Sequence, residues 1–244
     1  MPPASDAERK DGEVRFAAGG LHLTSDFVPD ALFFDMDGLL LDTERAGSIA
    51  FCEITAPFGI AAERAEIFYA ELVGTSSAIT RRRVSEFIPG VDIETFVGEW
   101  HQALDRQMAG EVLVKPTVRE TLNAVAVLGH RLAVVTSTRS ARAREHLERA
   151  GLLKHFETIV AGDEVKANKP DPEPYLEAAR RLGVDPARSA AFEDSDHGVT
   201  AAVAAGCVTV QIPDIRPADR PLPVLGQRIS RDLSEAMKAL RILI

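Results

Sequence analysis

The sequence predicts an α/β fold, a Rossmann-like doubly wound parallel sheet with an α-helical domain inserted early, and three observations carry the prediction. Short apolar runs at 31–34, 132–135, 158–161, 189–192 and 207–212 alternate with segments of helical period. Runs that are apolar throughout, and not every second residue, belong to strands covered on both faces, as in a parallel sheet with crossover helices. Polar, chemistry-bearing residues follow directly on three of these runs. The interval between the first and second runs is also far longer than one crossover helix requires, so it holds a separate unit.

Residues 1–28 mix Pro, Ala, Gly and charge, with Asp11-Gly12 and Gly19-Gly20 as breakers. They read as a mobile extension, with a short strand over 21–27 as the alternative. Inside the long interval, Ala46, Ile49, Ala50 and Ile54 mark a helix that ends near Pro57. Ile93, Phe96, Val97, Trp100, Leu104 and Met108 mark a second, strongly amphipathic one. Two weaker helical stretches, 63–72 and 76–87, lie between them. The expected division is therefore a helical domain over 45–112 and an α/β core over 29–44 and 113–244. The insertion leaves the core just after Asp42-Thr43, so it sits over the strand end that carries the first motif.

Beyond it, Thr117 and Glu120 have the spacing of a capping box after Pro116, and Gly129 is the expected stop. Asp171 precedes Pro172 at a helix start, and Tyr175, Ala178, Ala179 and Leu182 keep helical spacing up to Gly183. A last helix is expected near 232–240.

A hydrophobic share of 45% over 244 residues supports a well-buried core, and a net charge of −9 argues against a nucleic-acid or anionic-membrane binder. Cys52 and Cys207 are too few and too far apart for a disulfide framework or zinc site. With no apolar stretch of signal-peptide type and no run near the roughly 18 residues of a membrane span, a cytoplasmic protein is expected, as monomer or homodimer.

Four segments carry the chemistry. Asp35 and Asp37 flank Met36 at the end of the first run, and Gly38 lets the chain turn sharply. Alone, this pattern also describes an ordinary glycine turn; its place at a strand end favours a ligand site, because open α/β sheets bind ligands there. Thr136 and Ser137 end the second run, where hydroxyls and free amides suit phosphate oxygens, although Ser137, Thr138 or Ser140 also reads as a helix cap. Lys169 stands before Pro170, a restricted backbone position. Glu193 and Asp194 end a further run, followed by Ser195 as a cap.

Charge decides between the alternatives. Four carboxylates, Asp35, Asp37, Glu193 and Asp194, face one ammonium, Lys169. Neighbouring unit charges repel by roughly 4 kcal/mol at about 4 Å in a partly shielded site, so a dianionic phosphate does not approach such a cluster unaided. All-oxygen ligation with open positions suits a hard divalent ion, and Mg2+ is the natural one.

The four motifs in this order resemble the haloacid dehalogenase (HAD) superfamily, in the branch of phosphoglycolate phosphatase and β-phosphoglucomutase with a helical cap after the first motif. The resemblance runs from about Ala31 to Gln211. It implies that Asp35 is the nucleophile and Asp37 the general acid and base. It implies further that Thr136, Ser137 and Lys169 bind the phosphoryl group. Mg2+ would be held by Asp35, the main-chain carbonyl of Asp37 and Asp194, with Glu193 as a further ligand or a partner of the ligands. Asp42 and Thr43 match the hinge pair that fixes the first loop.

Within the superfamily, an acid at Asp37 disfavours the dehalogenases, and the absence of lysine between Glu44 and Val114 disfavours the phosphonate hydrolases. The mutases carry a cap histidine and an arginine where this chain has Gly47 and Ser77, so hydrolysis is the expected reaction. Thr138 and Arg139 do retain a hydroxyl and cation where mutases hold a distal phosphate. The cap loop around Gly74, Thr75, Ser76 and Ser77 aligns with the specificity segment, and Arg81 or Arg82 is a candidate contact to an anionic substrate, against the alternative of a solvated face. Candidate substrate residues are thus Gly74, Ser77, Arg81 and Arg139. The expected activity is Mg2+-dependent hydrolysis of a small phosphorylated metabolite, a sugar, polyol or carboxylic-acid phosphate. A sugar-phosphate mutase is the alternative, and a non-catalytic phosphometabolite-binding protein a remote one.

Overall fold

The computed structural model describes residues 27–73, 75, 77–109, 112–216 and 221–243, without the side chain of Ser77. The expected N-terminal extension, apart from Phe27 and Val28, lies outside the described residues, as do most of its alternative strand and Gly74 and Ser76 of the cap loop.

Six parallel strands form one sheet: β1 (Ala31–Phe34), β2 (Arg131–Val135), β3 (Thr158–Val160), β4 (Ser189–Glu193), β5 (Val208–Gln211) and β6 (Arg228–Ile229). Their order is β3-β2-β1-β4-β5-β6. Strand order reverses between β1 and β4, and the crevice beyond the strand ends at such a switch point is where doubly wound sheets bind ligands. Register makes the convergence specific. Phe34 is level with Val134 of β2 and Phe192 of β4, so Asp35, Val135 and Glu193 follow at the same height.

Alternation along the strands feeds two apolar layers. Leu32, Phe34, Leu132 and Val134 pack with Val118 and Leu122 of α5 (Val118–Val127), Leu147 of α6 (Ser140–Arg149) and Met237 of α9 (Leu233–Ala239). Ala31, Phe33, Ala133 and Val135 face the other way. They pack with Tyr175 and Ala178 of α7 (Glu173–Leu182) and Ala201 of α8 (Asp196–Ala204). Strands buried on both faces in this way are why the sequence shows unbroken apolar runs.

Residues 43–109 form four helices: α1 (Thr43–Thr55), α2 (Ala62–Leu72), α3 (Ser77–Phe87) and α4 (Ile93–Ala109). They build a core of their own around Phe51, whose ring lies 5.0 Å from Trp100, 5.9 Å from Tyr69 and 6.0 Å from Phe68 and Phe96. The chain leaves and rejoins the sheet through adjacent segments. The Asp42 amide donates to the Leu113 carbonyl at 2.9 Å, and Leu41 bridges Val114.

Three local expectations need correction. Strand β6 has no counterpart among the predicted runs: two half-buried residues, Arg228 and Ile229, make no apolar run, and their strand character comes from pairing with β5. The capping box at Thr117 is not formed. Thr117 takes a left-handed backbone (φ 66°), which turns its hydroxyl away from its own helix and toward α9, where it accepts the Ser234 amide at 3.4 Å. Helix α7 starts at Glu173, one residue after Pro172; the Asp171 carboxylate caps it by accepting the Glu173 amide at 2.9 Å.

Candidate active site

Beyond β1 the backbone stays in register for one more residue, the Asp35 amide donating to the Phe192 carbonyl at 3.0 Å. The chain then turns at Gly38, where φ is +81° and a Cβ would lie 2.4 Å from Asp194 Oδ2. Both facts demand glycine. The tight loop that follows is closed by the Gly38 amide to the Leu41 carbonyl at 2.9 Å.

At the centre stands Lys169. Its Nζ donates to Asp35 Oδ1 at 2.5 Å, Glu193 Oε1 at 2.6 Å and the Val135 carbonyl at 2.7 Å. All three donor positions of the ammonium are thereby filled. Burial alone would lower its pKa, but Asp35 and Glu193 more than reverse this and hold the ammonium above its usual range. Glu193 is fully buried. It also accepts the Tyr175 hydroxyl at 2.5 Å and that of Ser195 at 3.3 Å, while Ser195 Oγ accepts the Gly198 amide and so caps α8 as expected.

Asp37 turns the other way. Its Oδ2 accepts the Thr138 hydroxyl at 2.7 Å and, more weakly, that of Thr136 at 3.4 Å, and Thr136 Oγ1 in turn accepts the Thr138 amide at 3.0 Å. The hydroxyls here therefore position an acid and are not helix caps. The amide of Ser140, at the start of α6, is instead accepted by Asp163 at 2.8 Å. Thr136 is buried, whereas Ser137 is exposed and lines the cavity.

Asp35, Glu193 and Asp194 each offer an oxygen, all within 4.8 Å of one another. Burial raises the pKa of Asp35 well above the carboxylate range; Lys169 opposes this and Glu193 and Asp37 add to it. Burial, then Asp35 and Glu193, raise Asp194 as well. One lysine does not neutralise the set.

These groups open into a cavity of about 680 Å³ whose lining includes Asp35, Asp37, Thr136, Ser137, Lys169 and Asp194 from the sheet and Glu44, Val73, Thr75 and Ile79 from the helical insert. Glu44 Oε2 accepts the Tyr69 hydroxyl at 2.6 Å. Burial pushes the Glu44 pKa up to about 7, against the Tyr69 bond and with help from Asp37 and Asp214.

The remaining candidates are elsewhere. Arg81 pairs with Glu94 of α4, its Nε 3.1 Å from Oε1, and does not line the cavity. Arg82 faces Glu86, and Arg83 bonds Glu71. The solvated or salt-bridged alternative thus describes the arginines. Arg139 is 85% exposed at the start of α6, with Asp163 at 3.8 Å. Gly74 and the side chain of Ser77 lie outside the described residues.

Four contributors are missed by the sequence or read there in another role. Tyr175 reads as core because it keeps the apolar period of α7, and a tyrosine in a fully buried slot is the one available signal, since its hydroxyl requires a partner. Thr138 reads as a cap or a distal phosphate ligand, and it bonds Asp37. Glu44 and Tyr69 are 25 residues apart and meet only through the packing of α1 on α2.

Comparison with known proteins matches this arrangement. The family model "Haloacid dehalogenase-like hydrolase" covers residues 32–212. A phosphorylated carbohydrates phosphatase of Thermotoga maritima is 36% identical over 178 residues, covering 72% of this chain and 82% of that protein. The fructose-1-phosphate phosphatase YqaB of Escherichia coli is 32% identical over 190 residues, 74% of this chain and 95% of that one. Among solved structures, a β-phosphoglucomutase-type protein from Thermotoga maritima, 30% identical, superimposes with a TM-score of 0.71 over 88% of this chain and 99% of its own. With the sheet order, the four convergent motifs and the family model in agreement, the chain belongs to the haloacid dehalogenase-like hydrolases, as an enzyme whose relatives include sugar-phosphate phosphatases and a β-phosphoglucomutase-type protein.

Proposed function

We propose that this enzyme is a Mg2+-dependent phosphatase that hydrolyses a small phosphorylated metabolite through an aspartyl-phosphate on Asp35. The observation that carries the reading is the division of labour between two carboxylates. Asp35 is tied to Lys169 at 2.5 Å, and Asp37 is tied to the Thr138 hydroxyl at 2.7 Å. Two carboxylates in contrasting settings are what separate nucleophilic and acid–base roles require. The names of the relatives, a carbohydrate phosphatase and a fructose-1-phosphate phosphatase, support the substrate class.

The donor set fits a hard cation: three carboxylates offer oxygens within 4.8 Å, and burial with mutual repulsion raises two of them. Asp35, Asp194 and Glu193, with the main-chain carbonyl of Asp37, are the residues proposed to hold Mg2+. When bound, the ion offsets the excess negative charge and lets a phosphate dianion approach. Because Glu193 already accepts Lys169, Tyr175 and Ser195, its main work is to hold the lysine.

Asp35 attacks phosphorus with a carboxylate oxygen, and the ester P–O bond breaks as Asp37 gives its proton to the leaving alkoxide. Asp37, now ionised, takes a proton from water, whose oxygen attacks phosphorus and breaks the P–O bond to Asp35. Inorganic phosphate leaves and both aspartates return to their starting states. Lys169 opposes the protonation of Asp35 that burial favours, while the Thr136 hydroxyl and Ser137 amide are proposed to hold the transferring oxygens. Residue 47 speaks against the mutase alternative, because a Cβ there would lie 2.1 Å from the Tyr69 hydroxyl. The mutase histidine has no room unless Tyr69 moves. No motif residue is missing, which disfavours a purely binding role.

Acid quenching of the enzyme during turnover of a labelled phosphate ester is expected to trap an acid-stable, hydroxylamine-sensitive label on residue 35, with inorganic phosphate as the sole phosphorylated product. Asp35→Asn should lose the label and turnover by on the order of 10⁴-fold or more. An unlabelled enzyme, or an Asp35→Asn protein of undiminished rate, overturns the mechanism; an isomerised sugar phosphate as product restores the mutase.

A further inference from the structure

The hydrolytic steps leave without a task a carboxylate of the cavity lining and the tyrosine bonded to it. Glu44, in the first turn of α1, lines the cavity opposite the sheet. Its charge acts on both Asp37 and Asp194. Tyr69 holds Oε2. The phenol is itself fixed, its ring packed 5.9 Å from Phe51 and 6.1 Å from Trp100. It fits only because residue 47 has no side chain. Glu44 is thus a braced carboxylate whose Oε1 has no hydrogen-bond partner among the described residues.

Charge narrows what it can meet. Among the described residues lining the cavity, Lys169 is the one lysine or arginine, and its three donors are spent on Asp35, Glu193 and Val135. Lys115, a cation whose charge acts on Glu44, bonds Asp214 and lies 3.8 Å from Asp42. The remaining basic side chain among the described lining residues is His197, so an ester bearing a second anion would meet the Glu44 carboxylate with little positive charge to balance it. A hydroxyl would meet an acceptor already oriented, and hydrogen bonds to charged groups are the stronger kind.

We infer that Glu44, braced by Tyr69, reads the organic part of the substrate, accepting a hydroxyl of a neutral sugar or polyol monophosphate and rejecting monophosphates that carry a carboxylate. This rests on the phosphatase reading and narrows its three substrate classes to two.

Steady-state kinetics with fructose 1-phosphate, phosphoglycolate and p-nitrophenyl phosphate test it in wild type, E44A and E44Q. Wild type should favour fructose 1-phosphate over phosphoglycolate by about tenfold or more in kcat/KM. E44A should lower the ratio of fructose 1-phosphate to p-nitrophenyl phosphate by about tenfold, mainly through KM, the loss of one charged acceptor. E44Q keeps the shape and an acceptor for Tyr69, so its signature is relaxed rejection of phosphoglycolate. It decides the matter alone if E44A does not fold. A wild type that prefers phosphoglycolate, or ratios that stay within about twofold in the folded variants, overturns the inference while leaving the phosphatase standing. Hydrolysis of none of the three esters by wild type, with no trapped phosphoenzyme, strikes the phosphatase reading and removes this inference with it.

Discussion

The sheet and the helical insert reach the same cavity with opposite resources. At the sheet edge the side chains of Asp35, Lys169, Glu193 and Asp194 are all buried; Lys169 holds Asp35 and Glu193 in place, and Asp194 offers an oxygen within 4.8 Å of theirs. The insert is organised by aromatic surface: Phe51 contacts Phe68, Tyr69, Phe96 and Trp100, and Phe68 stacks on Phe87 at 3.8 Å. Its carboxylate at the cavity is Glu44. Buried charges tolerate little change, because removing one strands its partners. An apolar core tolerates rearrangement of what it displays so long as volume is kept. Rate should therefore depend on the sheet edge, and selectivity on the insert.

The largest effect expected from testing this contrast is at Lys169. Lys169→Met keeps the side-chain length but leaves Asp35 and Glu193 facing each other unpaired. Turnover should fall by on the order of 10³-fold, the scale of losing a major electrostatic stabiliser. Stability without added metal should fall by about 3–5 kcal/mol in urea denaturation. A Lys169→Met enzyme whose turnover stays close to that of wild type would mean that the pairing of Lys169 with Asp35 and Glu193 is not catalytic.

Phe51→Ala attacks the other region. The residue is fully buried among four rings, and its truncation should cost about 3–5 kcal/mol. Per folded molecule, hydrolysis of p-nitrophenyl phosphate should stay near wild type while the preference among larger esters shifts. Loss of both in equal measure would erase the proposed distinction between the regions. Tyr175→Phe is the milder counterpart in the core. It deletes only the 2.5 Å bond to Glu193 and leaves Lys169 in place. A stability loss of about 1.5–3 kcal/mol is expected, as for a bond to a charged acceptor, and a neutral substitution would show that Lys169 alone fixes Glu193.

The same contrast explains what the sequence disclosed. Strand-end chemistry was legible because parallel strands buried on both faces leave unbroken apolar runs, and each run ends where the chain regains polarity: Phe34 before Asp35, Val135 before Thr136, Phe192 before Glu193. Helical spacing likewise marked all four helices of the insert. What stayed hidden depends on contacts between distant residues. The hydroxyl of Tyr175 in an apolar slot of α7 says that a partner exists but not which, and nothing local announces that Thr138 reaches Asp37 101 positions away. Thr117 shows the reverse failure, a correct local signal overridden when a left-handed turn swings its hydroxyl toward α9. Arg81 had the right charge and the right helix, but Glu94 of α4 lies on the side to which it points.

The smallest expected effect is the most specific to the insert. Burial raises the Glu44 pKa to about 7, from an ordinary value near 4.3. Between those values the folded protein holds a proton that the unfolded chain has released, so unfolding liberates it and stability falls as pH rises through the window. The favourable contribution is complete below about pH 4.3 and lost above about pH 7. Glutamine at this position does not titrate. Urea denaturation without added metal at pH 5 and pH 8 should therefore show wild type losing about 1–3 kcal/mol relative to E44Q across the interval. Every other titrating group is present in both proteins, so the difference reports Glu44 together with its coupling to Asp194. Parallel profiles would mean that Glu44 is solvated well enough to ionise normally, and the rigid acceptor braced by Tyr69 would then be an ordinary surface carboxylate. A divergence of the expected sign would show that the insert, otherwise held by aromatic packing, carries a strained acid at the one point where it faces the reacting groups.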